Sequence, residues 1–384
     1  MARAPQAIVV GAGIVGLSAA RALLAEGYRV EVIEQGPVPN AHGSSVDSSR
    51  LIRHTYGTQH GYAALVDAAY AAWDRLWTEL GTAHYSPTGT LILSRPGATW
   101  AQDSAATLDA LGKRYRVLGT EEAARRFPLL NLDGVERAYW VETGGVLHAE
   151  PIVDALARHL RARGATVTER TAITDIDPAQ GRVVPEDGAL RTADLVLIAA
   201  GPWTGRLWPE LDARLTPSRQ LVCYADVPDA LYAAWRRMPM VLDIADAESR
   251  GAGSVYAVPP VGDAPLKLGD HAFSLTGDPD TDRSPGAAEL ESLFEMTCRQ
   301  LAEPARYRLI SGRTCYYTVA PDSQFIHARE GRAHALAGFS GHGFKFGPLI
   351  GERFAELAAG RLGEDDFSTW LAGAASAPCR RPSP

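Results

Sequence analysis

Residues 7–34 constrain the fold more than any other stretch of the chain. Ala7-Ile8-Val9-Val10 is a short apolar run of the kind shown by a strand buried on both faces. Gly11-Ala12-Gly13-Ile14-Val15-Gly16 follows, and then Leu17–Gly27, a helix ending at glycine. A second strand, Arg29-Val30-Glu31-Val32-Ile33, terminates in Glu34. Strand, GxGxxG, helix, strand and acid in this order make a dinucleotide site. Gly11 permits the turn, Gly13 lets a pyrophosphate approach, Gly16 lets helix and strand pack, and Glu34 bonds a ribose. A bare GxGxxG is weak evidence. With both strands, the helix and the acid at the right distance, the signal is strong.

At 384 residues the chain exceeds a typical single domain, so two domains with a long interface are expected. From Thr88 the texture changes to short alternating runs: Gly89–Ser94, a helix near 120–126, then Ala138–Val141. Gly144–Pro151 starts a helix through about Arg163, and Leu195–Gly201 returns the chain to the nucleotide domain. Residues 217–312 are again β-rich and full of turns. The expected fold class is α/β, a Rossmann-like cofactor domain interleaved with a β-sheet-rich α+β substrate domain. The cofactor domain takes 1–86, 146–216 and 318–373, the substrate domain 87–145 and 217–317, and 374–384 form a disordered tail.

A net charge of -7 argues against nucleic acid or an anionic membrane as principal partner. No apolar run approaches the ~20 residues that span a bilayer. The start, Met1–Gln6, leads straight into a strand with no secretory h-region. The four cysteines, Cys223, Cys298, Cys315 and Cys379, are widely spaced and show no metal or disulfide pattern. A reduced, cytoplasmic protein is the expectation.

Of 38 Lys+Arg residues only Lys113, Lys267 and Lys345 are lysines. A chain so biased to arginine keeps lysine where a compact ammonium is needed, which singles out Lys267 and Lys345. Lys113, in a polar stretch, reads as surface. Arg50 and Arg53 are spaced as one helical turn, on one face, with Leu51 and Ile52 between them implying burial and an anionic partner. Residues 61–80 carry Trp and Tyr at helical spacing and read as core. Near the end, Arg313-Thr314-Cys315-Tyr316-Tyr317-Thr318 precedes Gly338-Phe339-Ser340-Gly341-His342-Gly343-Phe344-Lys345-Phe346. This glycine-rich turn opens an amphipathic helix at 348–357, whose free N–H groups and dipole suit an electron-rich ligand.

Together these segments, with Ser48–His54, Leu195–Gly201 and Leu266–His271, resemble in order the monomeric sarcosine oxidase family, amine-oxidising flavoenzymes of the D-amino-acid-oxidase-like superfamily. The resemblance covers nearly the whole chain. It implies FAD, attached through a thioether at Cys315, with Gly11, Gly13, Gly16, Glu34, Ser44, Arg50, Gly201, Gly341, Gly343, Phe344 and Lys345 about the cofactor. It also implies that Arg53 and Lys345 bind a substrate carboxylate and that Arg50 lies near the flavin ring. Lys267 matches the lysine of oxygen activation. Tyr256 and His271 match polar pocket residues, and Tyr317 one beside the attachment cysteine.

Three positions depart from the family pattern: Val46 for a pocket histidine, Asp270 for tyrosine, and Pro348 for a small polar residue. They make a bulkier or cyclic amino acid at least as good a substrate expectation as sarcosine itself. The implied activity is oxidation of a secondary or cyclic amine to an imine, with O₂ giving hydrogen peroxide, by a monomer without nucleic-acid or membrane partners. Two alternatives stay open. One is a dehydrogenase on the same fold with another electron acceptor; the other is a non-catalytic flavin-binding protein.

Overall fold

The apolar run at 7–10 does become a strand covered on both faces. In the structure, a computed structural model describing residues 3–244 and 253–374, Gln6–Val10 lies inside a six-stranded sheet. The strand order is Ile326–Glu330, Ala333–Ala337, Leu195–Ile198, Gln6–Val10, Arg29–Ile33 and Thr166–Thr168. All neighbours run parallel except the first pair. Both faces of this sheet carry apolar cores, which is why its central strands read as unbroken apolar runs. The expected tail lies outside the described residues apart from Ala374, as does Cys379.

Helix Ile14–Ala25 packs against helix Gly347–Ala358 on one side of that sheet. Contact is close because Gly351 has no side chain: a Cβ there would stand 2.4 Å from the Ser18 carbonyl carbon. Helix His60–Leu80 buries Tyr62, Trp73 and Leu76 in the same core. Trp73 Nε1 donates to the Lys345 carbonyl at 2.8 Å, tying the C-terminal turn to this helix.

A second sheet has eight strands, in the order Arg308–Val319, Thr216–Asp226, Leu266–Asp270, Val255–Val258, Met240–Asp243, Thr90–Ser94, Arg137–Val141, Tyr115–Gly119. Every pairing is antiparallel but one. Met240–Asp243 runs parallel to Thr90–Ser94, and that seam joins the strands of 90–141 to those of 216–319. Along Leu266–Asp270 the alternation sorts Leu266 and Leu268 into a core with Trp235 and Cys223. Lys267 is thereby turned to the other face.

A three-stranded sheet of Arg50–Ile52, Gly145–Leu147 and Tyr85–Pro87 bridges the two larger ones. It corrects one expectation. Arg50 and Arg53 do not share a helix face, because Arg50–Ile52 pairs antiparallel with Gly145–Leu147 as a strand. Leu51 and Ile52 find partner residues Val146 and Gly145 there, so ladder bonds replace a helical turn. No described helix is long and apolar enough to cross a membrane.

Candidate active site

Two cavities meet between the sheets. The first, of about 320 Å³, opens at the end of strand Gln6–Val10. Gly11 has φ +105°, and a Cβ there would lie 2.5 Å from the Ala199 carbonyl oxygen. At Gly16 a Cβ would lie 2.0 Å from the Gly11 oxygen, so helix and strand approach at a distance that only glycine allows. Ser45 Oγ accepts from the Ile14 N–H at 2.9 Å. Glu34 is buried; it accepts from the N–H groups of Ala12 at 2.8 Å and Gly36 at 3.0 Å, and from Asn40 Nδ2 at 2.8 Å.

Gly11, Gly13, Glu34, Ser44, Arg50 and Gly201 line this cavity from one side, and Tyr317, Gly341, Gly343 and Phe344 from the other. Gly16 lies behind the turn. A cradle of glycines at the start of a twelve-residue helix, with an acid at the second strand, fits an elongated dinucleotide. The second cavity, of about 420 Å³, shares Arg50, Tyr317, Gly341 and Phe344 with the first. It also takes in Arg53, Tyr256, Lys267, His271 and Lys345. Of the site residues named from sequence, Gly16 and Cys315 line neither cavity, and of the three departing positions only Asp270 lines one.

Cys315 is buried on strand Arg308–Val319, on the same face as Tyr317. Its Sγ is 3.6 Å from Arg50 Nη2. Cys223 and Cys298 are also free, but lie in the apolar core behind the second sheet. Among the described residues no cluster of His, Cys, Asp or Glu could hold a metal ion.

Asp47, given no role from sequence, organises the wall between the cavities. Its side chain is 1% exposed. It accepts from Lys267 Nζ at 2.6 Å and from the Ser48 N–H at 2.7 Å, and pairs with Arg50 Nη1 and Tyr224 OH. Burial alone would raise the Asp47 carboxyl; Lys267 and Arg50 outweigh it and hold the group far below the ordinary carboxylate range. Burial lowers the Lys267 ammonium, with Asp47 opposing, and a second Lys267 N–H goes to the Ser49 carbonyl at 3.1 Å. The usable signal in the sequence was an acid three residues before an arginine that needed a buried partner.

Arg53 and Lys345 stand in contrast. Neither has a carboxylate within ion-pair distance among the described residues. The Arg53 guanidinium lies 5.2 Å over the Tyr56 ring and 5.4 Å over that of Trp100. Lys345 is buried and donates to Tyr56 OH at 3.0 Å. Burial lowers both, and Arg53 lowers Lys345 further, well below the usual lysine range. Burial, then Arg53 and Lys345, push His271 down to about 3, so this imidazole is neutral. His271 Nε2 is buried with no hydrogen-bond partner among the described residues. Tyr256, packed edge-on to His271 at 5.2 Å, rests against Gly269, where a Cβ would meet its hydroxyl at 2.5 Å. Tyr56 and His342 complete the cationic end; sequence alone assigned them nothing.

Residues 6–357 match the family model described as DAO, FAD dependent oxidoreductase. The chain is 30% identical over 374 residues to a monomeric sarcosine oxidase of Bacillus sp. (strain B-0618), covering 94% of each chain. It is 30% identical to the peroxisomal sarcosine oxidase of Homo sapiens, over 92% of this chain and 91% of that one. A solved structure of NikD, an unusual amino acid oxidase, superposes with a TM-score of 0.81 at 22% identity, covering 100% of both chains. The chain belongs to the DAO family of FAD-dependent oxidoreductases, is related along almost its whole length to the monomeric sarcosine oxidases, and is an FAD-dependent amine oxidase acting on CH–NH bonds.

Proposed function

We propose that this enzyme oxidises a secondary or cyclic amino acid to its imine, and that the two electrons and two protons pass on to O₂ as hydrogen peroxide. Bound in the first cavity, FAD supplies the two-electron chemistry. The observation that carries the reading is the pair of basic side chains, Arg53 and Lys345, in the second cavity with no carboxylate beside either among the described residues. Burying charge without a counter-ion is costly, and a substrate carboxylate relieves that cost. The neutral His271 offers its free Nε2 to the substrate amine, and Tyr256 borders the same space.

In this reading Cys315, with Arg50 Nη2 3.6 Å from its Sγ, anchors the cofactor by a thioether. Lys267 presents a preplaced ammonium to the anion that forms as O₂ is reduced. Tyr317, Gly341 and Phe344, common to both cavities, border the place where cofactor and substrate meet. The relatives act on different amines: one is a sarcosine oxidase, another an N-methyl-L-tryptophan oxidase. A cavity of about 420 Å³, lined by Asp270 at one departing position, suits a bulkier or cyclic amino acid at least as well as sarcosine; Val46 is buried and lines neither cavity.

Anaerobic mixing of the holoenzyme with a panel of N-methyl and cyclic amino acids tests this. At least one should bleach the flavin absorbance, and under air the same compound should yield one peroxide per imine. A flavin left oxidised by every amino acid in the panel, or reduced but slow to reoxidise in air, contradicts the oxidase reading.

A further inference from the structure

The cationic end of the second cavity holds a hydrogen-bond chain that the carboxylate clamp itself does not require. His342 Nε2 stands 3.1 Å from the Ser323 carbonyl oxygen, an atom that can only accept. Nε2 therefore carries the proton, and Nδ1 is left as a bare acceptor. Tyr56 OH, 3.4 Å from Nδ1, donates to it. The lone pairs of the Tyr56 oxygen then face Lys345 Nζ at 3.0 Å and accept from it. One backbone carbonyl thus sets the direction of three successive bonds.

The chain adds no charge. Burial, with Lys345 beside it, pushes His342 down to about 3, so the ring is neutral. Four groups with polar or ionisable heads face Lys345. Arg53 and Tyr56 come from the segment ahead of helix His60–Leu80, His342 from the lysine's own turn, and His271 from the end of strand Leu266–Asp270. None of them is an acid.

We propose that Tyr56 and His342 are positioning residues for anion recognition. They turn one Lys345 N–H toward Tyr56, while a second lies 3.5 Å from the His342 carbonyl oxygen. The remaining position on that nitrogen is left for an anion in the cavity beside Arg53, which couples anion binding to proton uptake at Lys345. The proposal rests on the reading that the substrate bears a carboxylate. An anion beside Arg53 and Lys345 offsets the burial and the like charge that hold the lysine well below its usual range. Binding then draws one proton from the buffer onto Nζ wherever the free lysine is neutral. The Tyr56 oxygen accepts from the ammonium, so removing it shifts the loss of that proton to lower pH.

The test is a titration of the holoenzyme with propionate, read as a perturbation of flavin absorbance, across the neutral and mildly alkaline range. Wild-type affinity should fall about tenfold per pH unit above a bend set by Lys345, as for linkage to one proton. Tyr56→Phe keeps the ring packing; it should weaken propionate about tenfold, the scale of one charge-assisted bond, and move the bend to lower pH. His342→Phe should do the same. The double variant should be no worse than either single, because the chain is already broken. His342→Gln, which keeps a donor and an acceptor, should recover part of the loss. Single variants with wild-type affinity and an unmoved bend, or losses that multiply in the double variant, overturn the chain while leaving the clamp intact. A wild-type enzyme that does not respond to propionate overturns both.

Discussion

Lys267 Nζ lies 2.6 Å from Asp47 Oδ2, although 220 positions separate the two residues along the chain. The bond joins the second sheet to the segment leading out of the nucleotide-binding unit. Arg50 meets the same carboxylate, so one buried anion serves two cations and the group keeps a net positive charge. That surplus stands at the wall shared by the two cavities. A buried cluster of this kind resists removal of its centre more than removal of a rim group.

Asp47→Asn should therefore destabilise the protein by about 3–5 kcal/mol, the usual cost of leaving buried charge uncompensated. Tyr224→Phe removes one hydrogen bond to the same carboxylate and should cost less, about 1.5–2 kcal/mol. Denaturant unfolding of both variants checks the order. Equal losses would show that Asp47 is not the centre.

Lys267→Met should slow flavin reoxidation by O₂ about a hundredfold, on the scale of losing one oxyanion donor. Anaerobic reduction by substrate should change much less, since the lysine makes no clamp with the carboxylate. Stopped-flow traces of the two half-reactions separate the effects. Slow reduction with normal reoxidation would move Lys267 into substrate binding.

Denatured protein should stay yellow and exceed the apoprotein mass by one FAD if Cys315 carries the cofactor. Cys315→Ala should release the flavin on acid precipitation, and Cys298→Ala, in the core behind the second sheet, should not. Full release of flavin from the wild type would exclude the thioether.

His334, on strand Ala333–Ala337 of the first sheet, is buried 3.0 Å from the His327 ring nitrogen, and burial followed by His327 pushes it down to about 3. The unfolded chain binds a proton at this residue below about pH 6.5, while the folded protein does not until near pH 3. Stability from this group is thus complete above the unfolded value and lost on acidification between the two. The loss is at most about 1.4 kcal/mol per pH unit. His334→Phe should flatten the fall of the unfolding midpoint across that range; an unchanged slope would assign the acid sensitivity elsewhere.

What was legible in the sequence was local. Gly11, Gly13, Gly16 and Glu34 lie within 24 residues, and their spacing encodes a turn, a close approach and an acid at the next strand. The bulky stripe of 61–80 likewise declared its own buried face. Arg50 and Arg53 were misread because a spacing of three fits a helix, while the strand partner Gly145–Leu147 lies far along the chain. Asp47 escaped for the same reason: a polar residue among serines reads as loop until Lys267 is brought to it. Tyr56 and His342 also gain meaning only when the fold sets them beside Lys345. Nor does any local pattern announce that Met240–Asp243 runs parallel to Thr90–Ser94 in an otherwise antiparallel sheet.

The carboxylate clamp is tested most directly by anaerobic reduction of the flavin with a reactive amino acid and with its decarboxylated analogue, in wild type and Arg53→Met. Charge-assisted bonds of this kind contribute about 1.5–3 kcal/mol each, and the analogue loses both, so the wild type should require roughly a hundredfold or more less of the acid than of the analogue for half-maximal reduction. Arg53→Met should erase most of that preference while the analogue reacts as before. Equal reduction of acid and analogue by the wild-type enzyme would contradict the clamp.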